Sequence, residues 1–231
     1  GDTDRPAACD ILIEDGRIAR VEPGLAAALA EQGSPDRVID ATRRLVVPGF
    51  VNAHFHSHDT LMKGMFELLP LHMWFINALP PQYPGRSADE IRARTLLGAA
   101  ECLLAGITTV QDMLGLVPFT EDYLDVVVQA YADIGERVVF SPMVSDIPSV
   151  GMACFKELLP PEVQEMLGTK ALEAAPQLEF LDAQIKRYPD HATLHWAVGP
   201  FAPQRCSPRL LEGCAELSER HDLGLYIHVY E

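Results

Sequence analysis

The chain has 231 residues, 48% of them apolar, and carries 18 basic against 33 acidic side chains for a formal net charge of −15. This composition suits one large folded domain, or a small one beside a larger one, and excludes a disordered or fibrous chain. An isoelectric point near 4.8 disfavours nucleic acid and anionic lipid as partners, because both are attracted by clustered Lys and Arg.

The first elements are short. Asp10 to Ile13 and Ile18 to Val21 flank Glu14-Asp15-Gly16-Arg17, and a central Asp-Gly between apolar runs predicts a β-hairpin. Ala26 to Ala30 suits one or two helical turns. Val38 to Asp40 and Arg44 to Val47 return to β character before Pro48 and Gly49 interrupt it. Residues 1–47 are expected to form a small β-rich unit, with a second unit over 48–231.

In that second unit strands alternate with amphipathic helices. Phe50 to His54 is the first strand, and Ser87 with Glu90 forms a capping box ahead of Leu97, Ala100 and Leu104, up to a stop at Gly106. Ile107 to Asp112 is the second strand. Thr120 caps a helix with Glu121 and Asp122 in its first turn and Leu124, Val127, Val128 and Tyr131 on one face, ending at Gly135. Arg137 to Val144 is the third strand. After a Pro-containing loop, Leu178, Leu181, Ile185 and Tyr188 mark a helix that Pro189 terminates, and Thr193 to Val198 is the fourth strand. Ser207 as N-cap and Pro208 at the first helical position open a helix with Leu210, Leu211, Cys214 and Leu217, and Leu225 to Val229 is the fifth strand.

Five such units imply an α/β parallel sheet, either open and doubly wound or closed as a (β/α)8 barrel. With the first 47 of 231 residues set aside, the remainder falls well short of the about 250 residues of a whole barrel. No GxGxxG follows a strand and no GxxxxGK[ST] occurs, so nucleotide-binding open sheets have no motif support. Apolar runs such as Leu45 to Val47 are far below the roughly 20 residues of a spanning helix, and no leader is visible, so neither membrane insertion nor export is expected. Five cysteines, at positions 9, 102, 154, 206 and 214, are odd in number and lack CxxC spacing, which suits reduced thiols in the cytoplasm. Gly1 stands where an initiator Met would, and the run from Leu225 to Glu231 stops at its active end, so both ends read as cut.

The sharpest local signal is Asn52-Ala53-His54-Phe55-His56-Ser57-His58-Asp59 at the end of the first strand. Residues two apart on a strand share a side, so His54 and His56 can converge on one metal ion. His56 with His58 forms a second frame that spacing leaves open, although the first lies nearer the strand that would hold it rigid. At the other end, Ile227-His228-Val229-Tyr230-Glu231 closes the fifth strand with a His and, three residues on, a Glu. In a parallel barrel all strands open on one face, so His228 would meet His54 and His56. Glu231 would then stand beside a metal-activated water and shuttle its proton.

Pro48-Gly49-Phe50-Val51-Asn52-Ala53-His54-Phe55-His56 resembles the first-strand signature of the amidohydrolase superfamily, in its branch of cytosine, guanine and adenosine-type deaminases and s-triazine hydrolases. Thr60 to Gly64 followed by Trp74, Gly106 to Val110, Gly199-Pro200-Phe201-Ala202-Pro203 running into Cys206-Ser207, and His228 to Glu231 agree with that branch in order. So does the β-rich start from Ile11 to Ile18. The resemblance implies a TIM-type barrel, incomplete at about five βα units, with part of a flanking β-sandwich over 1–47. It implies one metal per chain, zinc or alternatively ferrous iron, held by His54, His56 and His228, with Glu231 moving protons. In such enzymes metal-activated water attacks an electron-poor ring carbon of a small heterocyclic substrate and ammonia or another group departs.

The same resemblance marks departures. The family adds a sixth-strand histidine and an eighth-strand aspartate, and the sequence stops before either, so the isolated chain is expected to be inactive. Phe201 stands where many nucleoside deaminases place a substrate-touching histidine. The bridging lysine of binuclear members has no counterpart in Thr193 to Val198, which favours one metal. Further candidates for substrate contact are Asp112, whose competing role is to cap the turn after its strand, and Trp74 with Phe75, which compete with a core role. His195 falls at the opposite end of its strand and reads as structural. Cys206 has no histidine at motif spacing and is not expected to be a nucleophile, and His72, His191 and His221 show no partner in the sequence. A homo-oligomer is compatible with all of this. The competing expectations are a catalytically incomplete remnant or metal-binding module, and hydrolysis of a cyclic amide or a carbon–halogen bond.

Overall fold

The computed structural model describes residues 6–30, 33, 35–71, 73–74, 85–148, 156–167 and 172–230, in two compact units, 1–48 and 49–231. In the first unit β1 (Asp10–Glu14) pairs antiparallel with β2 (Arg17–Glu22). Asp15 and Gly16 at the turn take positive φ, 50° and 73°, the conformation that a two-residue hairpin of matching twist requires and that Gly adopts without strain. Helix α1 (Leu25–Ala30) follows, and its Ala26 N–H donates to Asp10 Oδ2 at 3.0 Å. The expected β character of Val38 to Asp40 and Arg44 to Val47 is not found: no ladder engages these residues, and Val38, Ile39, Leu45 and Val46 are exposed. A strand is stabilised by cross-strand partners, and among the described residues this unit offers only the β1–β2 pair.

The second unit contains β3 (Phe50–Phe55), a 3-10 turn over Ser57–Met62, α2 (Ala88–Leu104), β4 (Ile107–Leu114), α3 (Glu121–Ile134) and β5 (Arg137–Val144). It continues through α4 (Pro161–Leu167), α5 (Ala174–Arg187), β6 (Leu194–Pro200), α6 (Pro208–His221) and β7 (Gly224–Leu225). Ser87 and Ser207 cap α2 and α6, accepting from the N–H groups of Glu90 and Leu210 at 3.2 Å each. Thr120 holds the N-cap position of α3 but its side chain makes no capping bond; Glu121 and Asp122 place negative charge there instead. Gly135 ends α3 at φ 77°.

All five strands of this unit are parallel, and their spatial order β3-β4-β5-β6-β7 is the chain order. A doubly wound sheet reverses direction at a switch point, and this one does not. If it were flat, its outermost strands would lie roughly 19 Å apart at about 4.8 Å per step. The ring centroids of His54 at the end of β3 and His228 after β7 are instead 5.1 Å apart, so the sheet curls as the first five strands of a barrel. Alternate strand residues Val110, Leu114, Val138, Phe140, Leu194 and Trp196 pack outward against Ile91, Ala99 and Cys102 of α2 and Leu124, Val127 and Tyr131 of α3. A second cluster joins Val144, Leu181, Val198, Leu210, Cys214 and Leu217. The fifth strand is shorter than expected: only Gly224 and Leu225 form a ladder, with Tyr226 N–H donating to Val198 O and His228 N–H to Phe201 O beyond it. Pairing on one side alone leaves the second half of that segment without a regular ladder.

Candidate metal centre

The end of β3 is irregular in a way that serves the site. Asn52 pairs with Val110 and Phe55 with Asp112, three steps on β3 against two on β4. Such a bulge re-aims side chains. Phe55 turns toward α2, where a Cβ added at Gly98 would stand 2.8 Å from its Cζ, and His54 and His56 flank it.

His54, His56 and His228 each offer a ring nitrogen, and the three atoms lie within 4.8 Å of one another. Ring centroids are 4.7 Å apart for His54 and His56 and 5.2 Å for His56 and His228. His56 Nδ1 bonds to Met113 O and His228 Nδ1 to Phe201 O, each at 2.7 Å. A carbonyl only accepts, so Nδ1 carries the proton in both rings and Nε2 is left with its lone pair. Those two Nε2 atoms face each other at 3.3 Å. Lone pairs so placed repel unless a cation lies between them, and about 3.3 Å is the separation of two nitrogens each about 2.05 Å from a tetrahedral zinc. The carbonyl partners hold the rings in the orientation that metal-ligating histidines commonly need. The donor set therefore fits a divalent ion.

His58 is not in this group. It is buried, its Nδ1 accepts from the Gly115 N–H at 3.0 Å, and burial pushes its pKa well below the ordinary value, which keeps the ring neutral. Asp112 does not cap the turn after its strand. It is fully buried, with Oδ1 accepting from the Ser57 N–H and Oδ2 from the Tyr131 hydroxyl, both at 3.0 Å. The Phe201 ring lies 5.3 Å from that of His228, with the Arg205 guanidinium over it at 5.3 Å. Trp74 is half-buried. Glu231, Phe75 and His72 lie outside the described residues. Elsewhere His195 Nδ1 meets Asp190 at 3.2 Å, His221 meets Asp182 at 2.7 Å, and the Thr193 N–H donates to His191. Burial raises the pKa of the Cys206 thiol, the opposite of what a nucleophile needs. The supporting groups Met113, Gly115, Ser57 and Arg205 escaped the sequence reading; three of them act through main-chain atoms, which carry no side-chain signature.

Among the described residues no helix is long and apolar enough to cross a membrane. The chain is 32% identical over 222 residues to a 5-methylthioadenosine/S-adenosylhomocysteine deaminase of Thermococcus kodakarensis, covering 96% of this chain and 45% of that protein. A 5'-deoxyadenosine deaminase of Methanothermobacter thermautotrophicus is likewise 32% identical, over 96% of this chain and 44% of its own length. The chain thus spans about half the length of the curated relatives it matches. In fold it is similar to an atrazine chlorohydrolase of Arthrobacter aurescens complexed with zinc and atraton, at a TM-score of 0.79 and 21% identity over 100% of this chain and 50% of that one. It is also similar to a guanine deaminase of C. acetobutylicum, at a TM-score of 0.71 and 18% identity over 95% and 47%. The amidohydrolase family matches residues 45–231, the span that includes the three gathered imidazoles, and the chain belongs to that family.

Proposed function

We propose that the protein bearing this chain is a metal-dependent hydrolase of carbon–nitrogen bonds other than peptide bonds, which deaminates a small heterocyclic amine. One observation carries this reading: two Nε2 lone pairs 3.3 Å apart, their rings fixed by carbonyls, with a third imidazole alongside. The named activities of the deaminase relatives support an amine on a purine-type ring as substrate. The all-imidazole donor set and the zinc bound by the atrazine chlorohydrolase support zinc over ferrous iron.

A bound ion would supply a water of lowered pKa and polarise the electrophile. His54, His56 and His228 would hold that ion. Glu231, three residues after His228, would take a proton from the water and deliver it to a ring nitrogen, the exchange that makes an amine a leaving group. Phe201, largely buried beside His228, would give a flat ring an apolar wall, and Trp74 a second one.

Elemental analysis of the full-length protein should find about one zinc per chain. A screen over purine nucleosides, guanine, pyrimidines and triazines should release ammonia from at least one. His56→Ala should lose both the ion and the turnover. Full activity in metal-depleted protein would defeat the proposal, and chloride rather than ammonia release would redirect it to carbon–halogen bonds.

A further inference from the structure

The segment after His56 is held by the end of β4 through three successive contacts. His56 Nδ1–H donates to Met113 O at 2.7 Å, the Ser57 N–H donates to Asp112 Oδ1 at 3.0 Å, and the Gly115 N–H donates to His58 Nδ1 at 3.0 Å. On the β4 side the first and last use main-chain groups, which any residue would supply. The middle one needs a side-chain acceptor, and Asp112 provides it from a fully buried position. Its other oxygen accepts from the Tyr131 hydroxyl at 3.0 Å, and Tyr131 is itself buried on α3. A carboxylate is thus oriented from behind by a helix and aimed forward at one peptide N–H.

That N–H needs the acceptor. His56 is the N-cap of the 3-10 turn Ser57–Met62 and makes no capping bond with its side chain. The first N–H groups of such a turn have no partner within it, and Ser57 is fully buried, so an unpaired N–H there would be costly and the turn would shift to satisfy it. Any such shift moves the main chain next to His56.

We propose that Asp112 is a positioning residue for the metal centre, fixing the main chain at Ser57 and so the direction from which His56 presents Nε2. Asp112 touches neither ion nor substrate in this role. The inference rests on the metal-site reading above and adds to it a residue that acts through another.

The test loads cobalt(II) into the full-length protein and measures its visible d–d absorption and, by chelator competition, its dissociation constant. Asp112→Ala removes the acceptor, whereas Asp112→Asn keeps a carbonyl oxygen for the Ser57 N–H. Leu210→Ala, in the second core cluster, controls for lost stability alone. Asp112→Ala is expected to weaken cobalt binding about 10- to 100-fold and alter the d–d bands, with Asp112→Asn within about threefold of wild type. Leu210→Ala should leave the spectrum unchanged. Wild-type affinity and spectrum in Asp112→Ala overturn the proposal, and so does an Asp112→Asn protein as impaired as the alanine variant. If Asp112→Ala does not fold, Tyr131→Phe decides: a loss of about threefold or more with shifted bands supports the role, and no change overturns it. A wild-type protein that binds no cobalt sinks the metal-site reading and this inference together. Tight wild-type binding with an indifferent Asp112→Ala sinks this inference alone.

Discussion

At the scale of single residues, proton ownership organises the interior. The two carbonyls that take the Nδ1 protons of His56 and His228 decide which ring nitrogen faces the centre. Glu136, just before β5, shows the same logic without a hydrogen-bond partner among the described residues. It is 1% exposed, and among the described residues neither carboxylate oxygen finds a hydrogen bond. Burial first, and the charge of Asp112 second, raise its pKa from 4.5 to about 7. The folded protein therefore keeps a proton that the unfolded chain releases near pH 4.5, so this group lowers stability as pH rises from about 4.5 to 7, by up to about 3 kcal/mol. Glu136→Gln should flatten that slope in urea denaturation and gain about 1–3 kcal/mol at pH 8 relative to wild type; an unchanged pH profile would contradict the assignment. On the proposed metal-site reading, His228→Ala should reduce the metal content from about one per chain to near zero by removing the buried member of the three gathered imidazoles. His54 and His56 were legible as a cluster because imidazoles two apart on a strand share a side, and His228 because it closes a strand that opens on the same face. Glu136 and the two roles of Asp112 were not, since burial and a main-chain donor leave no mark in a local pattern.

At the scale of elements, caps and close approaches do the placing. Ser207 Oγ accepts from the Leu210 N–H while its hydroxyl donates to Asp146 Oδ2 at 2.5 Å, so one side chain both starts α6 and ties it to the segment after β5. Ser207→Ala should cost about 1–2 kcal/mol, read as a lower urea midpoint with unchanged slope. On α2, a Cβ at Gly98 would come within 2.7 Å of Thr60 Oγ1 and 2.8 Å of Phe55 Cζ. Gly98→Ala should therefore destabilise by about 1–3 kcal/mol despite better helix propensity, and weaken metal binding by displacing the strand end between His54 and His56. A stabilised variant would show that α2 can retreat. The strands and main helices stood out in the sequence because apolar periodicity and Ser or Gly punctuation agree. Val38 to Asp40 and Arg44 to Val47 misled, because β propensity there meets no pairing partner, whereas the last strand is shorter than its pattern suggests because only Gly224 and Leu225 form a ladder, with single main-chain bonds at Tyr226 and His228 beyond it.

At the scale of the 49–231 unit, strand order is what makes a site out of distant segments. Neither outer edge of the five-stranded sheet carries a further strand among the described residues, and Phe50, Val51, Tyr226 and Val229 along them are exposed. Unpaired edges with apolar side chains recruit other strands. Purified as this 231-residue polypeptide, the protein should self-associate in light scattering across the micromolar range, whereas a strict monomer would show that the edges are protected. Alternation of strand and helix made the parallel sheet legible but left it open or closed, because curl depends on the register of its ladders together; the incomplete barrel was legible through the resemblance of the first-strand and later motifs. The contact between residues 56 and 228 bridges 172 positions. At a ribosomal pace of about 5–20 residues per second, roughly ten to thirty seconds separate the emergence of the first histidines from that of the last. A pair of imidazoles alone would hold a divalent ion weakly, so on the proposed metal-site reading the ion would be captured only after His228 has been made, and loading would compete with cellular chelators rather than guide the early steps of folding.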